Sequence, residues 1–191
     1  LVIPEGFDPP SSTQNMRKLR FNNSMIYEAL EKARNLGSIN NSITSGGGNL
    51  AGYLAEIALA EDLQCDNVSC DEGDEKYNYD LIKNKLKIDV KTKRRTVDPR
   101  PSYEVSIAET SKHQKADTYA FISITFKGKR GKGRGATYHG VESVWLCGFM
   151  PKTEYFQRAK FWKRGDVDPS NGFSVHANMY NLPISSLRES E

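Results

Sequence analysis

Residues 85 to 93 read Lys-Leu-Lys-Ile-Asp-Val-Lys-Thr-Lys, and the alternation divides them by chemistry. Leu86, Ile88 and Val90 take one face of an extended segment, and Lys85, Lys87, Asp89, Lys91 and Lys93 take the other. Just upstream stands Tyr79-Asp80-Leu81-Ile82, with Lys83-Asn84-Lys85 as the turn of a hairpin. A turn centred on Asn84-Lys85 sets Asp80 directly opposite Asp89, and a turn at Lys83-Asn84 makes the two diagonal neighbours. Either register puts Asp80, Asp89 and Lys91 on one face, and direct opposition brings the two carboxylate Cβ atoms to about 5 Å. Carboxylates that close repel unless a cation sits between them. Lys91 supplies part of that charge. A hard divalent ion supplies it better, since Mg²⁺ typically takes one or two protein carboxylates plus water and phosphate oxygens.

A third acid is available on a preceding helix. In the helix expected over Leu50 to Leu63, Glu56 has Gly52, Tyr53, Leu59 and Ala60 as its neighbours one turn away, and none of these is basic. A carboxylate at the edge of a packing face needs a partner from elsewhere in the fold. Glu61 partly shares this description, so helix geometry alone does not single out Glu56.

The elements that position these groups follow from periodicity. Residues 24 to 36 have helical spacing at Met25, Ile26, Ala29, Leu30 and Ala33, stopped by Gly37. The hairpin over 78 to 93 is followed by an extended segment at Tyr103 to Ile107 and a short helix at Glu109 to Lys115. Strands are expected at Thr118 to Phe126 and Val141 to Cys147, and an aromatic-rich helix at Lys152 to Trp162. The class is α/β or α+β, a central mixed sheet flanked by helices, in a single domain over 1 to 191. Within it, residues 1 to 15 read as an extended N-terminal arm, 127 to 136 as a basic Gly-rich loop, and 165 to 191 as a loop-rich tail.

The spacing Gly52-x-x-x-Glu56-x-x-Leu59-x-x-x-Leu63, then Tyr79-Asp80, then Ile88-Asp89-Val90-Lys91, resembles the PD-(D/E)XK nuclease superfamily. Asp/Glu-x-Lys alone is common, and Asp74-Glu75-Lys76 also satisfies it. The alternation around Asp89, with Asp80 on the same face and Glu56 on a preceding helix, gives the match its weight. It covers about residues 50 to 126, and Tyr79 stands where the family name has proline. The resemblance implies a restriction-endonuclease-like core of order αβββαβ and a Mg²⁺-dependent endonuclease acting on DNA, with Mn²⁺ able to substitute. It makes Glu56, Asp80, Asp89 and Lys91 the catalytic set. Asp80, Asp89 and the Val90 carbonyl would ligate the metal, Glu56 would do so directly or through water, and Lys91 would orient the attacking water. Gln114 lies where some members carry a polar residue reaching the site, although a helix surface is the ordinary place for a Gln.

Charge distribution agrees with a polyanionic partner. Lys plus Arg number 27 against 24 Asp plus Glu, a net charge of +3, but the cations are segregated. Lys93, Arg94, Arg95 and Arg100 follow the hairpin, and Lys127, Lys129, Arg130, Lys132 and Arg134 alternate with glycine. Both groups are expected to contact phosphates. The segment Tyr155 to Arg164 interleaves aromatics with cations as single-strand stacking surfaces do, yet the helical spacing of Tyr155, Phe156, Ala159 and Trp162 suits a core better. Solvated basic loops, a non-catalytic nucleic-acid-binding protein and a structure-specific or RNA-directed nuclease such as a junction resolvase are the competing readings. Homodimerisation is expected where both strands are cut.

Other chemistry fits poorly. Gly46-Gly47-Gly48 lacks the Gly-Lys-Ser/Thr ending of a phosphate loop, and His113, His139 and His176 with three cysteines give no zinc-finger spacing. Three cysteines cannot all pair within the chain, so free thiols and a cytoplasmic setting are expected. No apolar run approaches the roughly 18 residues that would span a bilayer, and the eight Phe, nine Tyr and two Trp are ample core material.

Overall fold

The computed structural model describes residues 16–36, 49–68, 78–127, 140–169, 172 and 174–189. The expected basic loop from 128 onward, the arm at 1 to 15 and the acidic run at 71 to 75 lie outside them. The protein is α+β, with three helices, a curled mixed sheet of six strands and a smaller antiparallel sheet of three among the described residues.

The elements, in chain order, are β1 (Arg17–Leu19), α1 (Asn23–Leu36), α2 (Asn49–Leu63), β2 (Asp66–Asn67), β3 (Leu81–Lys83), β4 (Leu86–Arg95) and β5 (Glu104–Ala108). A 3-10 turn, Glu109–His113, leads to β6 (Thr118–Phe126), β7 (Val141–Pro151), α3 (Lys152–Arg158), β8 (Lys160–Trp162) and β9 (Met179–Pro183). The large sheet runs β1-β7-β6-β4-β3-β2, and the small one β5-β9-β8. Strand β4 lies parallel to β6, and the other neighbours in both sheets are antiparallel. A parallel pair cannot be closed by a tight turn. The chain between β4 and β6 therefore travels out through β5 and the 3-10 turn and back.

Alternation along the strands decides which layer each side chain meets. Leu81, Ile88, Val90, Ala120, Ile122 and Ile124 face α1 and α2 in one core. Tyr119 and Phe121, on the other face of β6, enter a second core with Val105, Ile107, Cys147, Met150, Tyr155 and Leu182. Helix α2 is apolar almost all round, with nine of its residues buried, because it is covered by α1 on one side and by the sheet on the other. Glu56 is half-buried in the middle of that helix.

Three expectations are corrected. A helix over 109 to 115 is replaced by the five-residue 3-10 turn, since Gln114 is already extended and the backbone must re-enter the sheet at β6. The helix expected to Trp162 stops at Arg158. Ala159 turns extended and Lys160–Trp162 joins β9, so pairing overrides the helical spacing. The tail from 165 is not simply loop, because β9 forms the centre of the small sheet and Ile184 and Leu187 are buried. It is stitched to β7 by the paired backbone hydrogen bonds of Phe149 and Arg188, both 2.8 Å. At Gly148, with φ of +137°, an added Cβ would stand 2.7 Å from the Arg188 carbonyl oxygen, so only glycine lets the tail pass.

Candidate functional site

The hairpin takes the register that opposes its two acids. Leu81 pairs with Ile88, Ile82 with Lys87 and Lys83 with Leu86, so the turn is Asn84-Lys85. Both turn residues have positive φ, 49° and 71°, the twist that two-residue hairpin turns favour. Asn tolerates that conformation and Lys does so at some cost. Continued one residue, the same register sets Asp80 opposite Asp89.

Asp80 is fixed at three points. Its N–H donates to the Ile88 carbonyl at 2.8 Å, its carbonyl accepts from Val68 N–H at 2.9 Å, and its Oδ2 accepts from Val90 N–H at 2.6 Å. Loss of hydration, and then the charges of Glu56 and Asp89, hold its carboxyl well above the usual carboxylate range, despite the Val90 hydrogen bond and Lys91. Glu56 therefore acts on the same locus as the hairpin acids. Its Oε1 leans back toward Gly52, where an added Cβ would stand 4.0 Å away.

Asp89 is buried at 3% exposure. Lys91 Nζ lies 2.6 Å from Asp89 Oδ2 and donates to Gln114 Oε1 at 2.8 Å. The Lys91 ammonium is thus the charged partner of the buried Oδ2. Beside it, Tyr119 pairs with Asp89 across the parallel ladder, and its buried hydroxyl has no hydrogen-bond partner among the described residues. Burial, and then the charge of Asp89, push that phenol up and keep it protonated. Gln114 is itself pinned, because Lys152 Nζ donates to its carbonyl oxygen.

The hairpin is also clamped at its other end. Asp117 accepts from Lys87 N–H at 2.8 Å and donates its own N–H to the Lys87 carbonyl at 2.9 Å. That ties the start of β6 to the strand bearing Asp89.

No family model, curated protein or solved structure matches the chain.

A divalent ion suits these donors. Two hard carboxylates stand opposite each other in the hairpin, one ion-paired with Lys91 and the other held above its ordinary range by burial and then by Glu56 and Asp89. Among the described residues no three His, Cys, Asp or Glu side chains converge as a ready-made cage. Mg²⁺ needs no such cage, since one or two carboxylates with water and substrate oxygens suffice. Asp80 and Asp89 could supply two such carboxylates.

The structure brings Glu56, Asp80, Asp89, Lys91 and Gln114 to one locality, and it distributes the expected phosphate contacts differently. Lys93 turns inward, donating to the Glu104 carbonyl at 3.0 Å and to Ser106 Oγ at 2.9 Å. Burial, and then Arg95, lower its ammonium to about 8. Arg95 donates to Ser123 Oγ and the Glu104 carbonyl and lies over the Tyr103 ring. Both cations hold β5 against β4. Arg94 lies over the Phe126 ring on the opposite face. Arg100 and Lys127 are exposed, and Lys129, Arg130, Lys132 and Arg134 lie outside the described residues.

Sequence reasoning missed Tyr119. It lies in a strand where nearly every residue is buried, and only the parallel register with β4 puts it beside Asp89. Cys65 and Cys147 are free thiols, and Cys147 is buried. No helix among the described residues is long and apolar enough to cross a membrane.

Proposed function

We propose that the protein is a Mg²⁺-dependent nuclease that hydrolyses phosphodiester bonds, with DNA as its substrate. The observation that carries this reading is the hairpin register: it opposes Asp80 to Asp89, with Lys91 two residues along the same face and in ion contact with Asp89. Two opposed acids, one of them buried and raised by its surroundings, destabilise a fold, and a cation-binding role accounts for their presence.

The succession of elements supports the resemblance to PD-(D/E)XK nucleases. Helix α2 precedes β2, β3 and β4, and β6 then lies parallel beside β4. The helix expected between the last two strands is replaced by β5 and the 3-10 turn, so the order is αβββββ rather than αβββαβ. The position of Gln114 at the end of that connection is kept.

Asp80, Asp89, the Val90 carbonyl and, directly or through water, Glu56 would hold Mg²⁺, with Mn²⁺ as a substitute. The ion would supply charge neutralisation at phosphorus and a water acidified toward neutral pH. Lys91 is held between Asp89 and Gln114. It positions the nucleophilic water and balances negative charge developing on the phosphate. Gln114 fixes the direction of that ammonium, and the protonated Tyr119 excludes bulk water behind Asp89.

Supercoiled plasmid, circular single-stranded DNA and a structured RNA, each incubated with Mg²⁺, Mn²⁺ or EDTA, test the reading. Cutting of DNA that EDTA abolishes is expected. Preferential cutting of RNA moves the substrate class, and retardation of plasmid on a gel with no cutting under any metal favours a binding protein.

A further inference from the structure

We infer that the outer end of an aromatic row leading from the candidate site is a stacking surface for single-stranded nucleic acid. The row begins at Tyr119, the ladder partner of Asp89. The Phe156 ring stands edge-on to it at 6.1 Å, Tyr180 follows at 4.9 Å and Phe161 at 5.0 Å. Burial falls steadily along it: Tyr119 is fully buried, Phe156 and Tyr180 are half-buried, and Phe161 is 43% exposed. Tyr155 and Trp162, from the same stretch of sequence, are buried instead.

One exposed ring is ordinary on a protein surface. The surroundings of this one are not. Lys112 Nζ lies 5.5 Å from the Phe156 ring centre and 5.6 Å from that of Tyr180. Lys112 belongs to the 3-10 turn that leads directly to Gln114, so one short stretch of chain joins the aromatic row to the group that orients Lys91. The acid of that turn, Glu109, is engaged by Asn178. Lys163 follows Phe161 just past the end of β8 and is exposed, whereas Lys160 lies over the Trp162 ring on the other face of the strand. An exposed ring bordered by cations takes an unstacked base on its face and the adjoining phosphates on the ammonium groups. Bases of an intact duplex are already stacked on one another, so the surface selects single strands.

What happens at the inner end of the row rests on the nuclease reading, but binding at the outer end does not. The experiment is therefore fluorescence anisotropy of a labelled oligothymidylate of about 12 nucleotides, in EDTA, with wild type and the Phe161→Ala, Phe161→Trp and Lys112→Ala proteins. Phe161→Ala is expected to weaken binding about tenfold and Phe161→Trp to retain it. Lys112→Ala is expected to flatten the salt dependence by about one phosphate contact. Wild-type protein that binds no oligothymidylate, Phe161→Ala that binds as wild type does, or duplex that competes equally would each overturn the inference. Because no metal is present, binding is read apart from cutting, and a protein that binds here but cuts nothing in the Mg²⁺ and Mn²⁺ assays retires the nuclease reading alone. One that cuts DNA while Phe161→Ala changes nothing retires this inference alone.

Discussion

The ammonium of Lys91 donates to the Gln114 amide oxygen at 2.8 Å while its other side touches Asp89 Oδ2 at 2.6 Å. A flexible four-carbon side chain is thereby held at two points. Hydrogen bonds to charged groups are typically worth about 1.5–3 kcal/mol. Gln114→Ala should lower kcat about tenfold or more, with little change in KM for the nucleic acid, and should lower the melting temperature by several degrees. Single-turnover kinetics beside a thermal melt separate this from a folding defect, because a merely structural Gln would move the melt and not kcat.

Asp80 is held above the ordinary carboxylate range by lost hydration and by Glu56 and Asp89. A raised folded-state value favours the protonated form. Its contribution to stability is thus full below the unfolded value of 3.8 and is lost as pH rises through the folded value. At neutral pH without metal, Asp80→Asn keeps an acceptor for Val90 N–H and removes the charge. It should raise the melting temperature by about 2–4 °C, as about 1 kcal/mol does in a protein of this size. Mg²⁺ should stabilise the wild type by mass action and leave the variant unmoved. A variant that melts lower than wild type in EDTA would contradict the placement of Asp80 among acids.

Lys93 carries the opposite sign. Burial and Arg95 lower it from 10.5 to about 8, so the fold favours the neutral amine. The contribution is present above pH 10.5 and is lost as pH falls through about 8. Urea midpoints measured at successive pH values should rise for wild type relative to Lys93→Met as pH passes 8 toward 10. Parallel curves would mean that the ammonium is solvated, and that Lys93 is available to phosphate after all.

The hairpin was legible from residues 78 to 93 because strict alternation fixes faces without any knowledge of the rest of the fold. Helix α1 was equally plain from its spacing, and α2 was expected over the largely apolar stretch from Leu50 to Leu63. Strand β9 was not, since Met179 to Leu182 becomes a strand only by lying between β5 and β8. The end of α3 failed for the same reason, with Lys160–Trp162 drawn into pairing against a helical pattern. Within the site, Asp80, Asp89 and Lys91 follow from local geometry. The roles of Gln114 and Tyr119 depend on a 3-10 turn and a parallel register that bring distant residues together. The inward turn of Lys93 and Arg95 was hidden likewise, because a run of cations reads the same whether it faces water or the Glu104 carbonyl.

Plasmid cleavage by wild type, Asp89→Asn and Lys91→Ala proteins, purified side by side and assayed in Mg²⁺, tests the central claim most directly. Cutting by the wild type and a loss of at least a hundredfold in both variants, with the fold intact by circular dichroism, is the predicted result, since each removes a group central to stabilising the transition-state charge, a loss typically worth about 10²–10³ in rate. Wild-type cutting rates in either folded variant would contradict it, and would leave the opposed acids of the hairpin without a catalytic role.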